Sequence, residues 1–278
     1  MSAACAITLP HGLWDGRRRR SEAELRLPTG ADEAHLLSTR NRSRAEQVTG
    51  LLARCVARVD DLEADDTLVR TLTAGDREAL LFRLRALVFG DDLACVLDCP
   101  ACGERMDVDL RISDLLLAPY PEVGERHTVG FEHGGERREA LVRLVTGADQ
   151  EAAARCGGPE AGVEELVSRC VVEVTGPGET VPPLVLADAV SDPLAALDPQ
   201  AEVTIETVCP ACDKPLNALV DAAAVLLAEL TATDDRLLRE VDAIARVYHW
   251  SEQEILALDV RRRRRYLELL AESCDEES

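Results

Sequence analysis

The sequence predicts an α+β protein built on two Cys-x-x-Cys hairpins that are separated by a small inserted α+β subdomain. Two observations support this prediction: the motif Cys-Pro-Ala-Cys occurs twice, and each copy lies between segments in which apolar residues alternate. Segments with helical apolar periodicity lie before the first hairpin and after the second. The predicted fold therefore also has N-terminal helices and a C-terminal helical bundle.

The predicted boundaries follow changes of periodicity along the chain. Residues 1–42 contain few periodic apolar residues and are expected to form a poorly ordered arm. The remaining segments are, in order, an N-terminal helical region (43–92), a first ribbon half (93–118), an inserted α+β subdomain (119–200), a second ribbon half (201–221) and a C-terminal helical region (222–278).

Two helices are expected before the first hairpin. Ser43 is a capping residue for a helix that runs to about Val59, and Thr73 caps a second helix over 74–89. Gly90 is suited to end that helix.

The two hairpins share one pattern. We call each Cys-Pro-Ala-Cys turn a knuckle: the first is residues 99–102 and the second is residues 209–212. Residues 94–98 form a strand before the first knuckle, and Met106, Val108 and Leu110 alternate with charged residues after it. Residues 203–208 and 216–220 repeat this arrangement around the second knuckle.

Between the hairpins, residues 128–131, 140–145 and 171–175 are predicted strands, and residues 163–170 form a predicted helix. Four prolines mark the return of the chain to the second hairpin: Pro182, Pro183, Pro193 and Pro199. In the C-terminal region, a helical stripe begins at Leu237, Ser251 with Glu254 forms a capping box, and Asp259 caps a last helix.

Composition excludes several classes of protein. Hydrophobic residues make up 46% of the 278 residues, which suffices for a core, and the net charge of -21 disfavours a general nucleic-acid binder. No apolar run approaches the roughly 20 residues of a membrane-spanning helix, so no membrane partner is expected. The mildly apolar segment 1–10 precedes the basic run 17–20, the reverse of a signal peptide, which predicts a cytoplasmic protein.

The two knuckles carry the chemistry that the sequence predicts. Cys99, Cys102, Cys209 and Cys212 supply four soft ligands, the complete set for a tetrahedral zinc ion. The long gap between Cys102 and Cys209 requires the inserted segment to bring its ends together. We therefore predict a split zinc ribbon with one structural zinc per chain, in which no coordination position is open for catalysis.

Other interpretations of the knuckles stay open. Iron in a rubredoxin-like site uses the same four ligands, and the cysteines could also be reduced and metal-free. A redox dithiol would require a helix after the motif, whereas strand patterns follow both copies. No phosphate-binding loop or nucleophile elbow is present, so the sequence predicts no enzyme.

Several segments resemble the baseplate hub assembly chaperone family of contractile-tailed phages and related contractile injection systems. The resemblance rests on the two knuckles and on segments that follow one another along the chain: 27–30, 72–81 continuing through Arg85 to 89–91, 244–256, and 261–267. It covers about half of the chain and leaves residues 120–195 unmatched.

The resemblance implies a non-enzymatic protein–protein interaction factor in assembly of a baseplate or hub, with tail proteins as its partners. Asp76, Arg77, Tyr248 and Trp250 lie in the resembling segments and are the expected partner contacts. Two rivals remain. A zinc-ribbon nucleic-acid-binding or transcription-related protein would use the knuckles and residues 261–265 against phosphate, and a thiol oxidoreductase would use Cys99 or Cys209.

Overall fold

The computed structural model describes residues 5–14, 16, 18–121, 124–178, 180–231 and 235–276, the last four of them by their backbone alone. The chain forms a mixed α+β fold with one four-stranded sheet, one three-stranded sheet and two separate two-stranded hairpins among these residues. In the described part of the chain, no helix has the length and apolar character needed to cross a membrane.

The N-terminal segment forms a small antiparallel sheet with two helices, and we call this part unit A. Its sheet has the strand order β1-β2-β3-β4. Its elements are β1 (Cys5–Trp14), β2 (Arg19–Leu25), α1 (Gly30–Ser38), α2 (Arg44–Cys55), β3 (Val56–Val59) and β4 (Leu62–Glu63).

The prediction of a poorly ordered arm over residues 1–42 is wrong for the described residues of that segment. Leu9, Ala23 and Leu25 are completely buried in the main core. The pairing of β1 with β2 shifts register between Thr8 and Leu13, so the alternation of apolar residues is broken there. That irregularity hides the strand from a search for period-two patterns. Residues 1–4, Asp15 and Arg17 lie outside the described residues.

Two further helices connect unit A to the first hairpin, α3 (Asp66–Thr71) and α4 (Ala74–Phe89). The prediction for α4 is confirmed at both ends, since the Thr73 side chain accepts the Asp76 N–H and Gly90 closes the helix with φ 96°. The helix that begins after Ser43 ends at Cys55 rather than near Val59, because residues 56–59 pair with β2 instead.

The two Cys-x-x-Cys hairpins form as predicted. The first consists of β5 (Asp92–Asp98) and β6 (Arg105–Arg111) and is followed by the single turn α5 (Ile112–Leu115). The second consists of β10 (Thr204–Val208) and β11 (Pro215–Leu219).

The segment between the hairpins has its own apolar core. Its elements are β7 (His127–His133), β8 (Glu136–Val142), α6 (Gly147–Ala154), α7 (Pro159–Cys170), β9 (Val171–Thr175) and α8 (Pro183–Leu197). Pro183 occupies the first turn of α8, where its missing N–H leaves no bond unmade, and Pro193 lies inside that helix. The proline-marked return is therefore mostly helical.

Elements β7 to β9, with α6 and α7, repeat the plan of unit A, and we call them unit B. Both units have the chain order strand, strand, helix, helix, strand, with the second strand in the centre of an antiparallel sheet. Arg26 pairs with Asp32 at 2.7 Å in unit A, and Arg143 pairs with Asp149 at 2.6 Å in unit B. Each aspartate closes a capping box on the helix that follows. The repeated unit is thus larger than the hairpin alone.

Four helices complete the chain: α9 (Ala222–Leu230), α10 (Arg236–Tyr248), α11 (Glu252–Leu256) and α12 (Val260–Glu276). Apolar residues of α9 join the main core of unit A and α4. Thr29 of unit A bridges to Asp259 before α12, and Thr146 of unit B bridges to Thr73 before α4. These bridges join unit A to the start of α12 and unit B to the start of α4.

Candidate metal centre

The first knuckle is a tight turn that two backbone hydrogen bonds close. The Cys99 N–H donates to the Glu104 carbonyl at 2.8 Å, and the Gly103 N–H donates to the Cys99 carbonyl at 2.8 Å. Gly103 has φ 75°, a left-handed conformation that favours glycine. The turn therefore places both cysteine side chains on one side of the hairpin.

The second knuckle repeats these bonds. The Cys209 N–H donates to the Lys214 carbonyl at 3.0 Å, and the Asp213 N–H donates to the Cys209 carbonyl at 2.9 Å. Asp213 adopts φ 54° at the position that Gly103 holds in the first knuckle. Aspartate is among the few non-glycine residues that visit this conformation.

The four cysteine sulfurs converge on one point between the hairpins. All four Sγ atoms lie within 4.8 Å of one another. The Cys99 and Cys212 sulfurs are 3.8 Å apart, and those of Cys102 and Cys209 are 3.6 Å apart. A tetrahedral site with a zinc–sulfur bond near 2.3 Å has sulfur–sulfur edges of about 3.8 Å. The spacing of the sulfurs therefore suits a single tetrahedral metal ion.

The centre is supported by a small apolar cluster that the two hairpins share. Cys99 and Cys209 are buried together with Met106 and Leu216, which occupy matching positions on β6 and β11. Cys102 is exposed, so one edge of the centre faces solvent. The packing holds the hairpins face to face, and four protein ligands would complete the coordination shell.

The pKa values of the knuckle cysteines differ, and all four are expected to be thiolates only when a cation lies between them. Backbone N–H groups, that of Ala101 foremost, lower the pKa of Cys99 to about 7. The Lys214 N–H lowers the pKa of Cys212, but desolvation and the neighbouring thiols outweigh it and raise that pKa to about 12. Four thiolates therefore repel one another strongly, and a bound dication would offset this repulsion.

No second cluster of this kind occurs within the described ranges, where Cys99, Cys102, Cys209 and Cys212 are the single group of His, Cys, Asp or Glu ligands that could hold a metal. A strand follows each knuckle, β6 after the first and β11 after the second. This arrangement differs from a thioredoxin-like dithiol, in which the motif opens a helix.

Three of the five arginines at 261–265 contact other side chains of the chain. Arg263 is fully buried and pairs with Glu33 and Glu240. The Arg264 guanidinium lies 4.8 Å from the centroid of the Phe89 ring, and Arg265 pairs with glutamates of its own helix. Arg261 and Arg262 are exposed, so these contacts involve three of the five arginines of the run.

The structure places two of the expected partner contacts in the interior. Asp76 and Arg77 are 0% and 1% exposed. The Asp76 carboxylate accepts the backbone N–H groups of His11 and Gly12 at 2.8 and 2.9 Å. Burial raises the pKa of Asp76 to about 6, although those hydrogen bonds act in the opposite direction.

The Arg77 side chain also makes its hydrogen bonds inside the protein. Its guanidinium donates to the carbonyls of Val69 and Ala45 and to the Thr49 hydroxyl, each at 3.1 Å. It therefore joins α2, α3 and α4. Both side chains are enclosed by the chain itself, so neither lies on a surface in this structure, and a role for Asp76 and Arg77 in partner contact stays an untested prediction.

The other two expected contacts are accessible. Tyr248 and Trp250 are half-buried and form an aromatic cluster with Tyr266, with ring centroids 5.0 to 5.4 Å apart. Val247 and Leu238, which lie on α10 with Tyr248, are 57% and 61% exposed. A role for this surface in partner contact stays a prediction.

One signal in the sequence was missed. The segment Arg-Leu-x-Thr-Gly-Ala-Asp occurs at 26–32 and again at 143–149, and Arg-Cys-Val occurs at 54–56 and at 169–171. These segments occupy the same places in units A and B. A search for internal repeats would have shown that the region between the hairpins resembles the N-terminal segment.

The fold and the centre together define a mixed α+β protein with one four-cysteine cluster between paired hairpins. A family model described as T4 bacteriophage base plate protein matches residues 12–183. Since this match spans more than half of the chain, the chain belongs to that family, which confirms the resemblance to phage baseplate proteins. The match includes Cys99 and Cys102 and ends before Cys209. No curated protein and no solved structure matches the chain.

Proposed function

We propose that the chain is a non-enzymatic factor for assembly of the baseplate or hub of a contractile, phage-tail-like particle, and that one structural zinc ion holds its two hairpins together. The convergence of four cysteine sulfurs within 4.8 Å, in a chain of the baseplate family, is the observation that carries this proposal. Its partners are other baseplate, hub or tail proteins.

A zinc ion would hold the two hairpins together. Cys99 and Cys102 lie on the hairpin that follows α4, and Cys209 and Cys212 lie on the hairpin that precedes α9. The core shared by the two hairpins contains only a few apolar side chains. A bound ion would therefore supply much of the free energy that keeps them together, on the order of 10 kcal/mol in small zinc-dependent peptides.

The chemistry of the centre also bears on where the protein acts. Thiolate ligands must stay reduced to bind a metal, and singly placed thiols persist in a reducing compartment. We place the protein in the cytoplasm of the cell that makes it. The internal contacts of the arginine run and the net charge of -21 count against the nucleic-acid-binding alternative.

The experiment combines metal analysis with particle assembly. Purified wild type should contain about one zinc per chain by inductively coupled plasma mass spectrometry, which follows from one four-ligand site. Cys99→Ser and Cys209→Ser should each lose the ion, and Cys156→Ser, a half-buried cysteine outside the knuckles, should retain it.

The same variants are then expressed with the tail gene cluster, and particles are counted by electron microscopy. The two knuckle variants should reduce the number of intact particles, and Cys156→Ser should not. Zinc retained when one knuckle is broken would refute the shared site. Normal particle numbers in a strain that lacks the chain would refute the assembly role.

A further inference from the structure

An open apolar groove of about 490 Å³ lies between α7 and α8. Its apolar lining includes five aliphatic side chains of these two helices: Val163, Leu166, Val167, Val190 and Leu194. Val163 is 37% exposed, and Leu166, Val167 and Leu194 are half-buried.

The corresponding face of unit A is completely covered. Counted back from the shared Arg-Cys-Val segment, Val163, Leu166 and Val167 of α7 match Val48, Leu51 and Leu52 of α2. These three residues of α2 are at most 5% exposed. The same helix face is therefore enclosed in one unit and open in the other.

In unit A, this face belongs to a core that helices α4 and α9 complete. Its core contains apolar residues of α9, a nine-residue helix with the sequence AAAVLLAEL. Arg44, the first residue of α2, pairs with Asp221, the capping residue of α9, and the Ala222 N–H donates to Glu78 of α4 at 2.6 Å. Helix α4 thus lies against α2, and the short apolar helix α9 packs on α4 beside the N-terminal end of α2.

Exposed acidic residues lie on both helices that form the groove. Glu160 and Glu164 are exposed on α7, Asp188 and Asp192 are exposed on α8, and Glu202 lies at one end of the groove. Helix α8 contains no lysine or arginine, and the one arginine of α7, Arg169, pairs with Asp149 and Glu165. A helix that enters this groove would meet negative charge on both sides.

We propose that the groove between α7 and α8 binds a short amphipathic helix of another protein, with small and aliphatic residues on the buried face and arginine or lysine on its flanks. The apolar face follows from the aliphatic lining of the groove and from the apolar helices that enclose the matching face in unit A, and the basic flanks follow from the exposed acidic residues of α7 and α8. The proposal deepens the proposed function, on which it rests for the identity of the partner as a baseplate component.

The test uses the full chain with its metal content verified and a fluorescently labelled peptide. The peptide keeps the apolar positions of α9 and carries arginine at the outward positions that match Ala224, Ala228 and Glu229. Binding is measured by fluorescence anisotropy at low salt. Two further peptides serve as controls, one of the same composition with its apolar residues scattered around the helix, and one with glutamate in place of arginine.

Val163→Arg should weaken binding at least about tenfold, because it places a charge in the apolar groove and repels the basic flanks. Val172→Arg is the matched control, since Val172 is an exposed valine of unit B, 45% accessible, that does not line the groove. It adds the same charge and should leave the affinity within about threefold, as expected for a charge outside the contact.

Three outcomes would overturn the proposal. Equal loss of affinity in the two arginine variants would show that only overall charge matters, and equal binding of the scattered peptide would exclude a groove specific for one helix face. A dimer of the chain that Val163→Arg dissociates in sedimentation velocity would assign the groove to a second copy. Failure of peptide binding would leave the zinc and particle measurements unaffected, so the two proposals fail independently.

Discussion

Arg263 of α12 and Glu33 of α1 form an ion pair that is closed to solvent on both sides, with the two side chains 0% and 1% exposed. Glu240 of α10 accepts a second hydrogen bond from Arg263 at 2.6 Å, and Arg236 also pairs with Glu33. Four charges thus join the first helix of the chain to helices near its end.

This network predicts a large effect of breaking one partner. Glu33→Gln leaves Arg263 buried without its main counter-ion, and we expect a loss of about 3–5 kcal/mol in the free energy of unfolding. Urea denaturation monitored by circular dichroism measures it. Arg265→Gln, which removes an exposed pair with Glu268, is the control and should change the free energy by about 1 kcal/mol or less. Similar effects of the two substitutions would show that the buried pair adds no stability.

Local signals in the sequence predicted the elements that depend on local contacts. Thr73 and Gly90 bound α4 because a cap and a left-handed terminus act within one turn of the helix. The hairpins likewise depend on short-range pairing around each knuckle. The first strand was missed because its partner and its irregular register depend on β2, which the period-two search did not find.

The burial of charged residues could not be predicted from local signals, because it results from contacts between residues far apart in the sequence. Asp76 and Arg77 lie in a resembling segment and were expected at a surface that contacts a partner. The amides that Asp76 accepts belong to His11 and Gly12, far earlier in the chain. The pairing of the two knuckles was predictable for a different reason, since four thiolates satisfy one tetrahedral ion.

Glu78 predicts a pH dependence of stability. Desolvation raises the pKa of its carboxyl to about 7 in the folded chain, although the hydrogen bond from the Ala222 N–H opposes the shift. A raised carboxyl pKa favours the protonated folded state, so this contribution to stability is present below the unfolded pKa and is lost as the pH rises through about 7.

Glu78→Gln removes the titration and keeps an acceptor for the Ala222 N–H. We expect the variant to be more stable than wild type at pH 8, by about 2–3 kcal/mol, and similar to wild type at pH 5. Thermal unfolding at both pH values measures the difference. Glu160→Gln, at an exposed position on α7, is the control and should show no such pH-dependent gain. An equal effect of Glu78→Gln at both pH values would contradict the assignment.

The left-handed backbone conformation of Gly103 predicts that a substitution there would strain the first knuckle. A Cβ atom at Gly103 would meet no atom within 4 Å, so Gly103→Ala tests the backbone conformation at φ 75° rather than packing. We expect a loss of about 1–2 kcal/mol, the penalty for an alanine in the left-handed region, and correspondingly weaker zinc retention against a chelator. Gly157→Ala is the matched control, because Gly157 also has open space around it and no positive φ. If Gly103→Ala and Gly157→Ala change the free energy of unfolding and the zinc retention equally, the first knuckle does not require the left-handed conformation at Gly103.

The aromatic cluster at the end of α10 predicts that a substitution there reduces particle assembly and leaves the fold of the chain intact. Trp250 packs on Tyr248 and Tyr266 while part of its ring stays accessible. Exposed tryptophans at interfaces often contribute 2 kcal/mol or more to binding. Trp250→Ala should therefore reduce the number of assembled particles in cells that express the tail genes, while the purified variant keeps its zinc and its helical circular dichroism. Trp250→Phe should restore part of the activity, and Leu62→Ala, which shortens an exposed side chain of β4, should have no effect. Normal particle numbers with a folded Trp250→Ala variant would remove this surface from the partner contacts and leave the groove of unit B as the next surface to test.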